Sequence, residues 1–82
     1  MENKNNMPNA KIQAKFQYKE DRLIIGIDLI EGQAFPNQFK HIRIGDTVYD
    51  VMGNSFLTKG SIDLMINEKS ENIQNGSEVF VY

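Results

Sequence analysis

The chain has no cysteine, a single histidine, two prolines and no long apolar run. Without cysteine there is no disulfide to staple a small fold, no thiolate metal site and no thiol nucleophile. Small secreted domains usually depend on such staples, so their lack points to the cytoplasm. The lone His41 cannot build the usual zinc site by itself. The longest apolar stretch, Leu23–Ile27 with Gly26 counted in, is far too short to cross a bilayer, and "MENKNNMPNA" has no charged start followed by an apolar segment. A soluble, unsecreted domain with no membrane partner is therefore expected. Nine Lys and Arg against eleven Asp and Glu leave a formal charge of −2, which gives no general attraction to nucleic acid. The phosphate-binding pattern G-x-x-x-x-G-K-S/T does not occur. Eighty-two residues make one domain. A chain of this size buries only about 60% of the surface its unfolded form exposes, so its stability is expected to be slim.

What is present is a phrase used twice. "IRIGDTVYDV" (residues 42–51) and "IQNGSEVFVY" (residues 73–82) align at an offset of 31, matching Ile42 with Ile73, Gly45 with Gly76, Val48 with Val79 and Tyr49 with Phe80. Each copy reads as an apolar residue, a turn glycine and a strand, the grammar of a small antiparallel barrel.

The rest of the chain agrees. Residues 1–9 are polar, end at Pro8-Asn9 and are expected to be a disordered tail; residues 10–82 form the domain. Lys11–Lys19 alternates without exception, with Ile12, Ala14, Phe16 and Tyr18 on one side and Lys11, Gln13, Lys15, Gln17 and Lys19 on the other. Such period-two patterning predicts a half-buried strand. Lys19–Arg22 predicts a hairpin turn, and Leu23–Ile30 a second strand interrupted at Gly26. Residues 31–41 are an irregular loop carrying Phe35 and Phe39. A third strand is expected over 42–52 with a corner at Gly45-Asp46, a tight hairpin at Gly53-Asn54 and a fourth strand over 56–66 bent at Gly60. A charged loop and a last strand, 78–82, follow. The fold class is all-β, a single antiparallel barrel of five to six strands. Val48, Val51, Phe56, Leu57, Ile62, Leu64, Val79 and Val81 join the apolar face of the first strand as its expected core.

Residues 23–51 resemble the second-domain β-barrel of translational GTPases of the elongation-factor-Tu class. That family sets a Gly, an apolar strand and a second Gly before "apolar-x-x-Gly-Asp-x-Val", positions matched here by Gly26, Gly32, Ile42, Gly45, Asp46 and Val48. The resemblance implies a docking barrel that contacts RNA or a protein and catalyses nothing.

Candidate sites are few. His41 has no Ser/His/Asp spacing around it, and Asp46, Asp50 and Asp63 read as readily as turn and surface residues as paired acids. No catalytic, cofactor or metal residue is assigned. Phe35, Phe39 and Tyr49 are candidates for protein contact, because exposed rings are common interface anchors; the alternative is that they cap the open ends of a barrel. Lys11, Lys15 and Lys19, extended by Lys40 and Arg43, form a candidate RNA-binding stripe; the alternative is that lysines protect an exposed strand from edge pairing. The leading expectation is a non-enzymatic module for a protein partner, and the second is an RNA-associated accessory barrel.

Overall fold

Strands β1 (Ala10–Lys19) and β2 (Arg22–Leu29) form the predicted hairpin, joined by Glu20-Asp21. The computed structural model describes residues 7–58 and 60–82, with side chains described for all of these except 56–58. Ile12 lies opposite Ile27, yet Ala14, not Gln13, lies opposite Gly26. Gln13 is thus an extra residue, a β-bulge, and the one-residue shift turns the side chains after it to the other face until a second shift between Gln17 and Lys19. Ala10 and Ile12 are buried, whereas Phe16 and Tyr18 are 63% and 52% exposed. The expectation that Ile12, Ala14, Phe16 and Tyr18 share the core face therefore holds for Ile12 alone. The glycine interruption lies opposite the bulge, on the partner strand.

Beyond the bulge, Lys15 and Gln17 turn inward and bind the loop that precedes the last strand. Lys15 Nζ donates to the carbonyls of Ser70 (2.8 Å) and Ile73, at the end of a single 3-10 turn, Ser70–Asn72. The Ser70 carbonyl also accepts the Ile73 N–H (3.1 Å) that closes the turn, and a cation suits the carbonyls at the end of a helical turn. Gln17 Oε1 accepts from the Ser70 N–H (2.6 Å), and its amide reaches the carbonyls of Lys19, Arg22 and Glu68.

Five further strands complete the sheet: β3 (His41–Ile44), β4 (Thr47–Asp50), β5 (Gly53–Thr58), β6 (Ser61–Ile66) and β7 (Glu78–Val81). The expected third strand is two, because Gly45 takes φ +62° and folds β3 back on β4 in a two-residue hairpin. The expected fourth strand is also two, β5 and β6, which meet at Gly60 with φ +87°. Gly53-Asn54, read as a turn, opens β5 and pairs with Met65 and Leu64. Among the described residues the count is seven strands rather than five or six, all antiparallel, in the order β4-β3-β7-β1-β2-β6-β5. Gly45 and Gly76, the matched glycines of the repeat, both have positive φ and each precedes a short strand.

β4 and β5 stand at opposite ends of this order, yet only Val51 and Met52 separate them in the chain. The ends of a flat sheet of this width would lie about 29 Å apart at ~4.8 Å per strand. That link reaches only about 10 Å. The sheet therefore rolls until its ends approach, but among the described residues no ladder joins them and the barrel is not closed. Its inner face holds the core: Ala10, Ile12, Leu23, Ile25, Ile27, Ile42, Ile62, Leu64, Ile66, Ile73, Val79 and Val81. Five of the expected core residues, Ile12, Ile62, Leu64, Val79 and Val81, are in it. Val51 packs against it. Val48 is 50% exposed because the tight hairpin sets Tyr49, not Val48, opposite buried Ile42. The side chains of Phe56 and Leu57 lie outside the described residues. Residues 1–6 of the expected tail do as well, whereas Asn9 is buried and hydrogen-bonded to β7.

Candidate binding surfaces

Two areas of the outer face carry side chains that chemistry on the inside does not use. The first spans β4, β3 and β7. With Ile42, Val79 and Val81 inward, alternation sets His41, Arg43, Phe80 and Tyr82 outward. Arg43 and Phe80 are cross-strand partners, and the guanidinium lies 5.4 Å from the ring centroid. The Phe80 and Tyr82 rings stack at 5.1 Å and 22°, and His41 lies 5.3 Å from Tyr82. His41 Nδ1 is 3.2 Å from Asp50 Oδ1, an ion pair whenever the ring is protonated. Phe39, Lys40 and Gln38 close a shallow hollow beside His41 and Tyr82.

The second area spans β1, β2 and β6. Phe16, Ile24 and Met65 are in register across the three strands, and so are Ala14, Gly26 and Asp63. A ridge of large apolar residues thus runs beside a row of small or short ones. Lys19 and Arg22 pair at one end of the area, and Lys11, Asp28 and Ser61 are in register at the other. The Lys19 ammonium sits 5.6 Å above the Tyr18 ring.

The structure separates the residues picked from sequence. Phe35, Phe39 and Tyr49 are half-buried and packed against the core. Lys11, Lys15 and Lys19 do not form one stripe, since the bulge turns Lys15 inward to the loop carbonyls. Lys40 and Arg43 come together with His41 beside the stacked rings. Asp46 lies in the β3–β4 turn, Asp50 meets His41 and Asp63 faces Gly26. Among the described residues no group of three His, Cys, Asp or Glu side chains could hold a metal, and no helix is long and apolar enough to cross a membrane. Phe16, Tyr18, Ile24, Met65, Arg22 and Phe80 were not legible as surface anchors. Gly26, an interruption in an otherwise β-branched run, was the one trace of the irregularity that exposes the first two.

Tyr49 is tied to the loop rather than offered to solvent. Its hydroxyl donates to Glu68 Oε2 at 2.6 Å. Burial, then the bond to Glu68, pushes the phenol from 10.0 up to about 12, and the same bond holds the Glu68 carboxyl below its ordinary value. The protonated phenol and the ionised carboxylate are the stabilising forms. Tyr49's contribution is therefore complete below pH 10 and lost as pH rises toward about 12; Glu68's is complete above its ordinary value and lost as pH falls through its own lower one. Tyr49→Phe should be less stable than the wild type near neutrality, with the gap narrowing at both extremes in urea titrations across pH. A gap unchanged between pH 9 and about pH 12 would show that the phenol does not carry it.

Comparison with known protein families, curated proteins and solved structures found no match to this chain.

Proposed function

We propose that the chain is a non-enzymatic interaction module that docks a protein partner on the outer face of β4, β3 and β7. The observation that carries this reading is the ladder of Arg43, Phe80, Tyr82 and His41, with Phe39 and Lys40 at its rim. Arginine and tyrosine dominate the binding energy of interfaces, because a ring buries much area with few rotamers to freeze and a guanidinium offers several donors. Phe35 and Tyr49 support this surface from below by packing on the core. The barrel-like roll of the sheet and the resemblance of residues 23–51 to a translation-factor docking domain favour the same kind of role.

An RNA-associated reading has one observation in its favour: Lys40 and Arg43 stand beside stacked rings, the mixture that binds unpaired bases. Capture of partners on the tagged chain from its native lysate, with and without RNase, separates the two. A stoichiometric protein should survive RNase, and Tyr82→Ala should weaken its measured affinity by about 2 kcal/mol, roughly thirtyfold. Capture that disappears with RNase, and that weakens steeply with salt, would replace the protein reading by the RNA one.

A further inference from the structure

The outer face of β1, β2 and β6 is a different surface, and what it fits can be read from its own residues. Along β2 the outward positions are Arg22, Ile24, Gly26 and Asp28: a cation, a bulky apolar group, a position without side chain and an anion. The pattern is antisymmetric about Ile25. Three residues to one side stands the arginine, three to the other the aspartate. One residue to each side stand the bulk and the gap. β1 repeats the motif in register, with Phe16 beside Ile24 and Ala14 beside Gly26.

We propose that this face binds a second copy of the same chain. A two-fold axis lying in the plane of contact, crossing β2 at right angles at the level of Ile25, places the two β2 strands antiparallel, one over the other. It sets Arg22 of each copy over Asp28 of its mate, Ile24 over Gly26 and Phe16 over Ala14. Phe16 and Ile24 of each ridge come over the small residues of the other copy, as a self-complementary interface requires, while Met65 comes over Asp63 at the β6 edge. The outward space at Gly26 is shared with the Asp63 carboxylate, whose Oδ1 lies 3.1 Å from where a Cβ would stand, with the Ala14 Cβ at 3.8 Å, so the mate's Ile24 must turn that carboxylate aside to seat there. Arg22 is half-buried, with its Nε covered and without a hydrogen-bond partner, so the contact with the mate falls to the outer end of the guanidinium. Asp28 receives both of its bonds, from Gln13 and Ser61, on Oδ1. Its Oδ2 can therefore accept the guanidinium of the mate in a charge-assisted bond. The same rotation brings Lys19 of one copy over Lys11 of the other, a like-charge contact at the edge that weakens the dimer, with Asp28 as the cross-strand partner of Lys11 beside it.

Three strands over six residues make a plane of only about 15 by 20 Å. That is about 300 Å² on each copy, below the range of stable specific interfaces, so the dimer should be weak, with a Kd in the upper micromolar range. The inference stands apart from partner docking on β4, β3 and β7, since either face can fail without the other.

Sedimentation velocity from a few to several hundred micromolar tests it. The wild type should move from 9.4 kDa toward twice that mass. Arg22→Asp and Asp28→Arg should each be monomeric over the range, because each sets like charges opposite one another. Mixed in equal amounts they should form a heterodimer at least as tight as the wild type, with both pairs restored. Asp28→Arg also removes two internal bonds, so Ile24→Lys serves as a second disruptor, with far-UV circular dichroism to show that each variant is folded. A wild type that stays monomeric throughout, a dimer that Ile24→Lys leaves intact, or a mixture that gives no heterodimer would overturn the proposal.

Discussion

Ile12→Ala should lower stability by about 3–4 kcal/mol, whereas Phe16→Ala, four residues along the same strand, should change it by less than about 1 kcal/mol. By alternation the two positions are equivalent, and by size the phenylalanine should matter more. The bulge at Gln13 reverses that order. Ile12 is 1% exposed and part of the core, while Phe16 is 63% exposed. Truncating Ile12 removes three carbons from close packing and leaves a void that neighbouring strands cannot fill without breaking ladder bonds. A domain of this length has roughly 4–12 kcal/mol of stability in all. The loss should lower the melting temperature by roughly 12–32 °C. Both variants are best melted in dilute solution, below the range of self-association. Comparable losses at the two positions would mean that β1 alternates without a bulge and that Phe16 lies in the core.

This pair of positions also marks where sequence stops being legible. The all-β class, the Glu20-Asp21 turn and the cores of β6 and β7 follow from period-two patterning and turn residues, both properties of local sequence. A bulge is not local. Whether Gln13 or Ala14 meets Gly26 is decided by which register lets Lys15 and Gln17 reach the carbonyls and N–H of a loop more than 50 residues away. No window along β1 contains that information. Strand division failed for a related reason. Gly45-Asp46 serves equally as a corner within one strand or a hairpin between two, and the choice rests on β7 arriving to pair with β3. The candidate surfaces suffered most, because one misplaced residue in β1 sends two rings to the wrong side. The lysines follow: Lys15, which alternation places on the wet face, is a half-buried strut.

Asn9→Ala should cost about 2–4 kcal/mol, through two backbone groups that lose their partners. In the β3–β7 ladder His41 and Tyr82 exchange N–H···O bonds at 2.9 Å. Val81 is one residue back from that exchange, so its own N–H and C=O point the other way, toward β1. There the pairing of β1 with β7 runs through Val79 and Glu78 only. The amide of Asn9 completes it. Nδ2 donates to the Val81 carbonyl and Oδ1 accepts the Val81 N–H, each at 3.0 Å, while the Asn9 N–H binds the Val79 carbonyl. The side chain thus replaces a length of backbone that β1 does not supply, and at 5% exposure water has little access to take over. Asparagine is required for its pairing of one donor with one acceptor. Asn9→Asp keeps the shape but turns a second oxygen toward the Val81 carbonyl, and it should be at least as damaging as alanine at pH 7. Protonation restores a donor, so this variant alone should gain stability relative to the wild type as the pH falls toward roughly 4, where the unfolded carboxyl also protonates and the gain levels off. Equal urea midpoints for wild type and Asn9→Ala would show that β7 holds its place in the sheet through β3 alone, and that Asn9 contributes nothing to it.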